Sequence, residues 1–416
     1  MSSKTKPYHL IYFMIWPCAT LFYYLKNFRK PVAKNVMWLF TIFFAATFAI
    51  GVESEGSDVV SYITEVSLLH NLNLNVKEAF LYYMNSKEID VSRTFLAYVV
   101  SLTTDNGFYL IVIYGIIFGF FFSRNIWYVL ERLERKIKFF TLILIVTLFL
   151  VIPIWNLNGF RFWTAAHVFI YGLLPFIFER KRKSLIWCFI TPFIFHYSFL
   201  FALIPLSAYL IFGNRVKIYF ILFLISFFIS EFDISQFNTL IEQYVPESIA
   251  ERSESYRIED KVEALREGEI KSDKVWYAKY YGKALRWSIV ALLILIYWGS
   301  RKTIKENQEL LRLLSFIFLF FFFANLLATI PSGGRFLAIG NFIGLAFLLL
   351  HLQNNIINKD IQTLSKIAMP FLLFFAVVSL RTGLYSFSVM TLIGNPITAI
   401  FTLGENIALN DIIKGF

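Results

Sequence analysis

Long apolar runs recur from one end of the 416-residue chain to the other, separated by short polar or charged stretches. Each is about 15–20 residues, the length a helix needs to cross roughly 30 Å of hydrocarbon. The pattern predicts spans near 10–25, 36–52, 107–123, 139–155, 160–178, 184–197, 199–212, 217–231, 284–299, 313–330, 335–351 and 366–380. A shorter apolar stretch at 390–403 is a candidate thirteenth. The reading is an all-α, polytopic integral membrane protein of about 12 (±2) transmembrane helices, with residues 1–416 forming one domain.

Two longer segments break the pattern. Within 53–106, the stretch RTFLAYVVSLTT (93–104) is too short to span and predicts an interfacial or re-entrant helix. Segment 232–283 holds more acids than bases, with helical-looking stretches, and predicts a folded helical lid.

Basic loops set the orientation. KNFRKPVAK (26–34), RNIWYVLERLERKIK (124–138), ERKRK (179–183), NRVK (214–217) and RKTIKENQELLR (301–312) belong on the cytoplasmic side, with the N-terminus outside. The run 184–212 decides the parity. As one helix it would measure about 43 Å at 1.5 Å per residue. Splitting it at His196-Tyr197-Ser198 keeps every basic loop inside, and Pro192 and Pro205 favour bends. The outer face then receives 53–106, the turn at 156–159, the FHYS turn, 232–283, PSGGR (331–335) and RTGLY (381–385).

Composition agrees. The chain is 58% hydrophobic and 19% aromatic but only 16% charged, which excludes a soluble domain of this length. The net charge of +11 lies largely in loops and implies orientation, not nucleic-acid binding. Cys18 and Cys188 lie inside apolar spans as packing residues. No cleavable signal and no repeat is evident in the sequence.

The candidate chemistry gathers on the predicted outer face. Arg161, in NLNGFRFW after Asn158, opens a span, and its planar fork suits phosphate oxygens. Arg335 follows Gly333 and Gly334 directly before an apolar helix, where backbone N–H groups can add to an anion cradle. His196, in FHYS, is placed to take a proton from a sugar hydroxyl. Asp58 in GSDVVSY is a second candidate base or a hydroxyl-orienting group, and Tyr62 shares its helical face. Arg381 is a further phosphate candidate. So is Arg286, in WYAKYYGKALRW (276–287), although aromatic and basic residues there also form an ordinary interfacial belt. Glu53, Glu55 and Asp58 fit a hard metal only loosely, so neither metal nor cofactor is expected. No Walker loop, GxSxG elbow, zinc spacing or HExxH is present.

In order and placement these motifs resemble the EpsG-like branch of the Wzy-type polysaccharide polymerases. The resembling residues are Asp58 with Tyr62, Asn158 with Arg161, His196 with Ser198, and the later Arg335. One departure is the absence of a basic residue just before GSD. The resemblance implies a lipid-donor glycosyltransferase architecture of GT-C type. It implies joining of oligosaccharide repeat units carried on undecaprenyl pyrophosphate, to make O-antigen, capsule or exopolysaccharide. It further implies a place in the bacterial inner membrane, an active site facing the periplasm or exterior, membrane lipid around it, and room for a chain-length regulator protein. On that reading arginines hold pyrophosphate, Asn158 and Tyr62 contact substrate, and His196 or Asp58 activates the acceptor hydroxyl. A glycan ligase of related chemistry, a lipid-linked oligosaccharide flippase and a membrane acyltransferase are the alternatives. A flippase should place its charges at mid-depth between repeated halves, which the sequence lacks.

Overall fold

The computed structural model describes residues 8–51, 58–85, 90–231, 276–330 and 332–415. Most of the predicted lid lies outside the described residues, as do Glu53 and Glu55. The described chain is helical, with no strand beyond one isolated bridge, Ser388 to Ala408.

In chain order the helices are α1 (Tyr8–Ile15), α2 (Pro17–Lys26), α3 (Ala33–Ala46), α4 (Asp58–Leu72), α5 (Val76–Asn85), α6 (Val91–Ser101), α7 (Phe108–Leu130), α8 (Phe139–Val151), α9 (Phe160–Glu179), α10 (Leu185–Ile194), α11 (Leu200–Phe212), α12 (Val216–Glu231), α13 (Trp276–Gly299), α14 (Arg301–Glu306), α15 (Gln308–Leu327), α16 (Arg335–Asn354), α17 (Lys359–Gly383), α18 (Val389–Ile393), α19 (Pro396–Phe401) and α20 (Leu409–Gly415).

Among the described residues, six helical stretches are long and apolar enough to cross a membrane, against the twelve spans predicted from sequence. They are Phe108–Leu130, Phe139–Glu179, Trp276–Gly299, Gln308–Leu327, Arg335–Asn354 and Lys359–Gly383. Ala33–Ala46, Tyr197–Phe212 and Val216–Ile229 are apolar but shorter. Local breaks explain much of the difference. Pro17 divides the first predicted span into α1 and α2. The 390–403 stretch is no span, because Gly394 and Asn395 split it into α18 and α19.

Side-chain pairings fix the helix directions. Tyr114 stacks on Phe160, Asn125 bonds to His167, and Tyr128 bonds to Glu179, so α7 and α9 run parallel. Thr141 meets Gln353 and Ser379 meets the Leu150 carbonyl, so α8 runs opposite to α16 and alongside α17. The stretch Phe139–Glu179 is thus two opposed helices joined by a 3-10 turn at Ile154–Gly159. Helices α10 and α11 form a hairpin: α10 rises toward Phe162, and α11 returns to Phe176 and Arg312 through Tyr209. The division of 184–212 at its histidine is therefore what the chain adopts.

Close backbone approach locks α3 onto α7. A Cβ at Gly115 would stand 2.4 Å from the Ala45 Cβ, and one at Gly119 would stand 2.7 Å from the Thr41 Cβ. This is small-xxx-small packing, which suits helices in a solvent that gives no hydrophobic drive to associate.

The bundle has two chemically distinct ends. One gathers Lys34, Arg132, Arg135, Lys181 and Arg312, held by Glu131, Glu179 and backbone carbonyls. The other gathers α4, α6, the 3-10 turn, the N-termini of α9 and α16 and the tip of the α10–α11 hairpin. Within the 53–106 segment, α6 buries Thr94, Ala97 and Val100 while Phe95, Val99 and Leu102 stay exposed, a pattern fit for an interface.

Candidate active site

Phe162 lies one residue past Arg161 and is almost wholly buried. The His196 ring meets it edge-on at 5.5 Å, and the Arg335 guanidinium stands 5.9 Å from its centroid. Phe199 and Phe336 pack around it, tying the hairpin tip to α16. His196 and Arg335, from two distant parts of the sequence, thus meet at one ring, next in sequence to Arg161.

A hydrogen-bonded chain runs from Arg161 to Asp58. The Arg161 Nε donates to the Tyr62 Oη at 3.3 Å, and that hydroxyl donates to Asp58 Oδ2 at 3.3 Å. Burial pushes the Tyr62 phenol well up, with Arg161 opposing, so the hydroxyl keeps the proton it donates. Tyr62 is fully buried, edge-on to Tyr114, with the Arg93 guanidinium 4.9 Å above its ring. Arg93 is itself paired to Glu65 at 2.7 Å.

Asn158 plays an architectural part in this arrangement. Its side-chain oxygen accepts the Val59 N–H at 3.4 Å, tying the turn before α9 to the first turn of α4. That bond sets Asp58 and Arg161 on facing elements.

Asp90 completes the site and was not singled out from the sequence. Only 3% exposed, it accepts from Arg161 Nη1 at 3.2 Å through one oxygen. Its other oxygen accepts the Tyr197 N–H at 3.2 Å. One carboxylate therefore fixes both the guanidinium and the hairpin tip. Its only sequence signal is an acid just before a short amphipathic run, the position of a helix N-cap. Glu65 and Arg93 gave no signal beyond their charge.

The His196 tautomer is set locally. Nδ1 lies 3.2 Å from the Ser198 N–H and 2.9 Å from its hydroxyl. A backbone N–H can only donate, so Nδ1 holds a lone pair and the neutral ring carries its proton on Nε2. As folded, His196 presents a donor through Nε2.

Arg335 opens α16 after a tight turn with Ser332 at φ 57°. A Cβ at Gly333 would stand 1.8 Å from the Leu327 carbonyl oxygen, so only glycine fits. Gly333→Ala is expected to displace the turn and with it Arg335, which thermal unfolding of the detergent-solubilised chain checks against wild type.

The other predicted arginines lie elsewhere. Arg286 is buried in α13, donates to Asn325 Oδ1 at 3.0 Å, and faces Phe227; Asn325 in turn donates to Ser226. Arg381, in the last turn of α17, stands 4.8 Å over the Tyr277 ring, beside a Trp276–Phe374 stack. Neither is brought to Phe162 by these contacts.

A family model, that of the EpsG family, matches residues 36–389 of the chain. The chain belongs to the EpsG family. EpsG proteins are a Wzy-like polysaccharide polymerase family, and the match contains every residue of the cluster around Arg161. No curated protein and no solved structure matches the chain. As an EpsG member it is a membrane protein of glycosyltransferase-like polymerase class.

Proposed function

We propose that this EpsG-family chain joins oligosaccharide repeat units carried on undecaprenyl pyrophosphate, at the outer face of the bacterial inner membrane. The observation that carries the reading is the meeting of Arg335 and His196 at Phe162, with Arg161 tied through Asp90 to Tyr197 beside His196, at the end of the bundle opposite the basic loops. Basic loops stay cytoplasmic, so this end faces out. Two guanidiniums and an Nε2–H donor suit a pyrophosphate leaving group, stabilising the charge that grows on it as the glycosidic bond breaks. A lipid pyrophosphate is a weak base, so the departure needs no proton.

The acceptor hydroxyl does need to lose one. Between the two candidate bases, the tautomer favours Asp58, since His196 holds its lone pair against Ser198. His196 then works as a donor to phosphate or sugar oxygen. Accordingly, His196→Gln, whose amide keeps a donor, should retain at least about a tenth of polymer output, while Asp58→Asn should lose about a hundredfold. Equal loss in both variants, at equal protein level, returns the base role to His196. The gel product is the O-antigen, capsule or exopolysaccharide of the host strain.

Purified full-length protein with a synthetic polyprenyl-pyrophosphate-linked repeat unit tests the reading directly. Products of two or more repeats, with one polyprenyl pyrophosphate released per new bond, are expected. A ligase yields one transfer to a different acceptor. A flippase forms no bond, and that outcome sinks the proposal.

A further inference from the structure

The basic end of the bundle holds a cavity of its own, about 140 Å³, between α3, α7 and α9. Its walls include Lys34, Arg124, Glu131, Tyr128 and Tyr171. Lys34 is matched there by Glu131 at 3.0 Å.

Arg124 is not so matched. It stands on α7 nearly two turns before the helix end, half-buried beside the first turn of α3. Its guanidinium bonds to Ser123 Oγ and Asn35 Oδ1, both at 2.8 Å. It lies 4.5 Å from the Phe120 centroid and 4.9 Å from that of Trp38. Among the described residues no carboxylate pairs with it. The two aromatic faces hold the charge in place without neutralising it. The cavity thus carries one cation more than its own anion can balance.

We propose that this cavity binds the phosphate of an anionic membrane lipid, with the Arg124 fork on phosphate oxygens and Lys34 adding charge. Basic pockets between spans on the cytoplasmic side suit such headgroups. At about 30 Å³ per water-sized group, the volume holds four or five such groups, enough for a phosphate and its first ester carbons. The acyl chains would stay in surrounding lipid. Tyr128 and Tyr171 supply amphipathic rings of the kind usual at headgroup depth. The proposal is independent of the chemistry assigned to the other end.

Native mass spectrometry of the full chain in detergent tests it, with added dioleoyl-phosphatidylglycerol, dioleoyl-phosphatidylcholine or inorganic phosphate. The wild type should retain the anionic lipid about fivefold or more over the zwitterionic one. Arg124→Gln should abolish that preference, Arg124→Lys should keep part of it, and Lys138→Gln, at the same end but outside the cavity, should leave it intact. Equal retention of both lipids by the wild type overturns the proposal, and so does an undiminished preference in Arg124→Gln. Arg124-dependent binding of inorganic phosphate without lipid preference overturns the lipid assignment and leaves a soluble-anion site. If Arg124→Gln fails to fold, the wild-type preference and its weakening by Lys34→Gln decide the matter.

Discussion

Arg161→Ala is expected to abolish polymer, lowering output by at least about a hundredfold, the usual scale for losing a preorganised charge at a reacting oxygen. The structure gives two reasons for an effect so large. The guanidinium is held by bonds to Tyr62 and to Asp90, the carboxylate that also holds the hairpin tip. Its removal also severs the chain from Tyr62 to Asp58. Stability suffers separately, because Asp90 is left as a buried charge without its guanidinium; breaking such a pair costs about 3–5 kcal/mol. Arg161→Lys separates the two effects. It restores a positive charge for Asp90 and most of the protein level, but not the planar fork, so polymer should stay below about a tenth of wild type. Polymer on gels, normalised to protein in membranes, reads both.

Asp90→Ala is the second large effect, and it removes no candidate substrate contact. It frees Arg161 from its ion pair and the hairpin tip from the Tyr197 bond at once. Thermal unfolding of the detergent-solubilised chain should show a loss of about 3–5 kcal/mol, and polymer should fall in step with the misplaced arginine and histidine. Asp90→Asn keeps the shape and the bond from Tyr197 but loses the charge, so it should fall between alanine and wild type. A double variant, Asp90→Ala with Arg161→Ala, leaves no buried charge unmatched. It should recover protein level and thermal stability without recovering polymer, whereas additive losses would show that the pair is not coupled.

Much of this was legible in the sequence. Arg161, Arg335, His196 and Asp58 each stood at a break in apolar pattern, where a charged or polar group needs a reason to be. The basic loops ordered those breaks onto one end, and the His196 turn gave the parity that the hairpin adopts. What stayed hidden was of two kinds. Asp90, Glu65 and Arg93 lie in a polar stretch where charge is unremarked, and their partners stand far off in sequence on α4, α9 and the hairpin tip. Arg286 and Arg381 carried weaker signals than Arg161, Arg286 within a stretch that also reads as an interfacial belt, and they contact Asn325 and Tyr277. Hydropathy reports burial and depth but not which helices are neighbours. It also gives no crossing count on its own, because a run such as 184–197 is apolar whether the helix in it spans or turns back halfway.

The most direct measurement is a glycan ladder from a deletion strain complemented with wild type, Arg161→Ala, Arg335→Ala or His196→Ala. Loss of the ladder in the arginine variants, with a single-repeat band remaining and protein at normal level, is the predicted result. It would place polymerisation at the end of the bundle where His196 and Arg335 meet Phe162. An unchanged ladder in all three variants would contradict that placement, and loss of every repeat-bearing band would assign the chain to export or ligation.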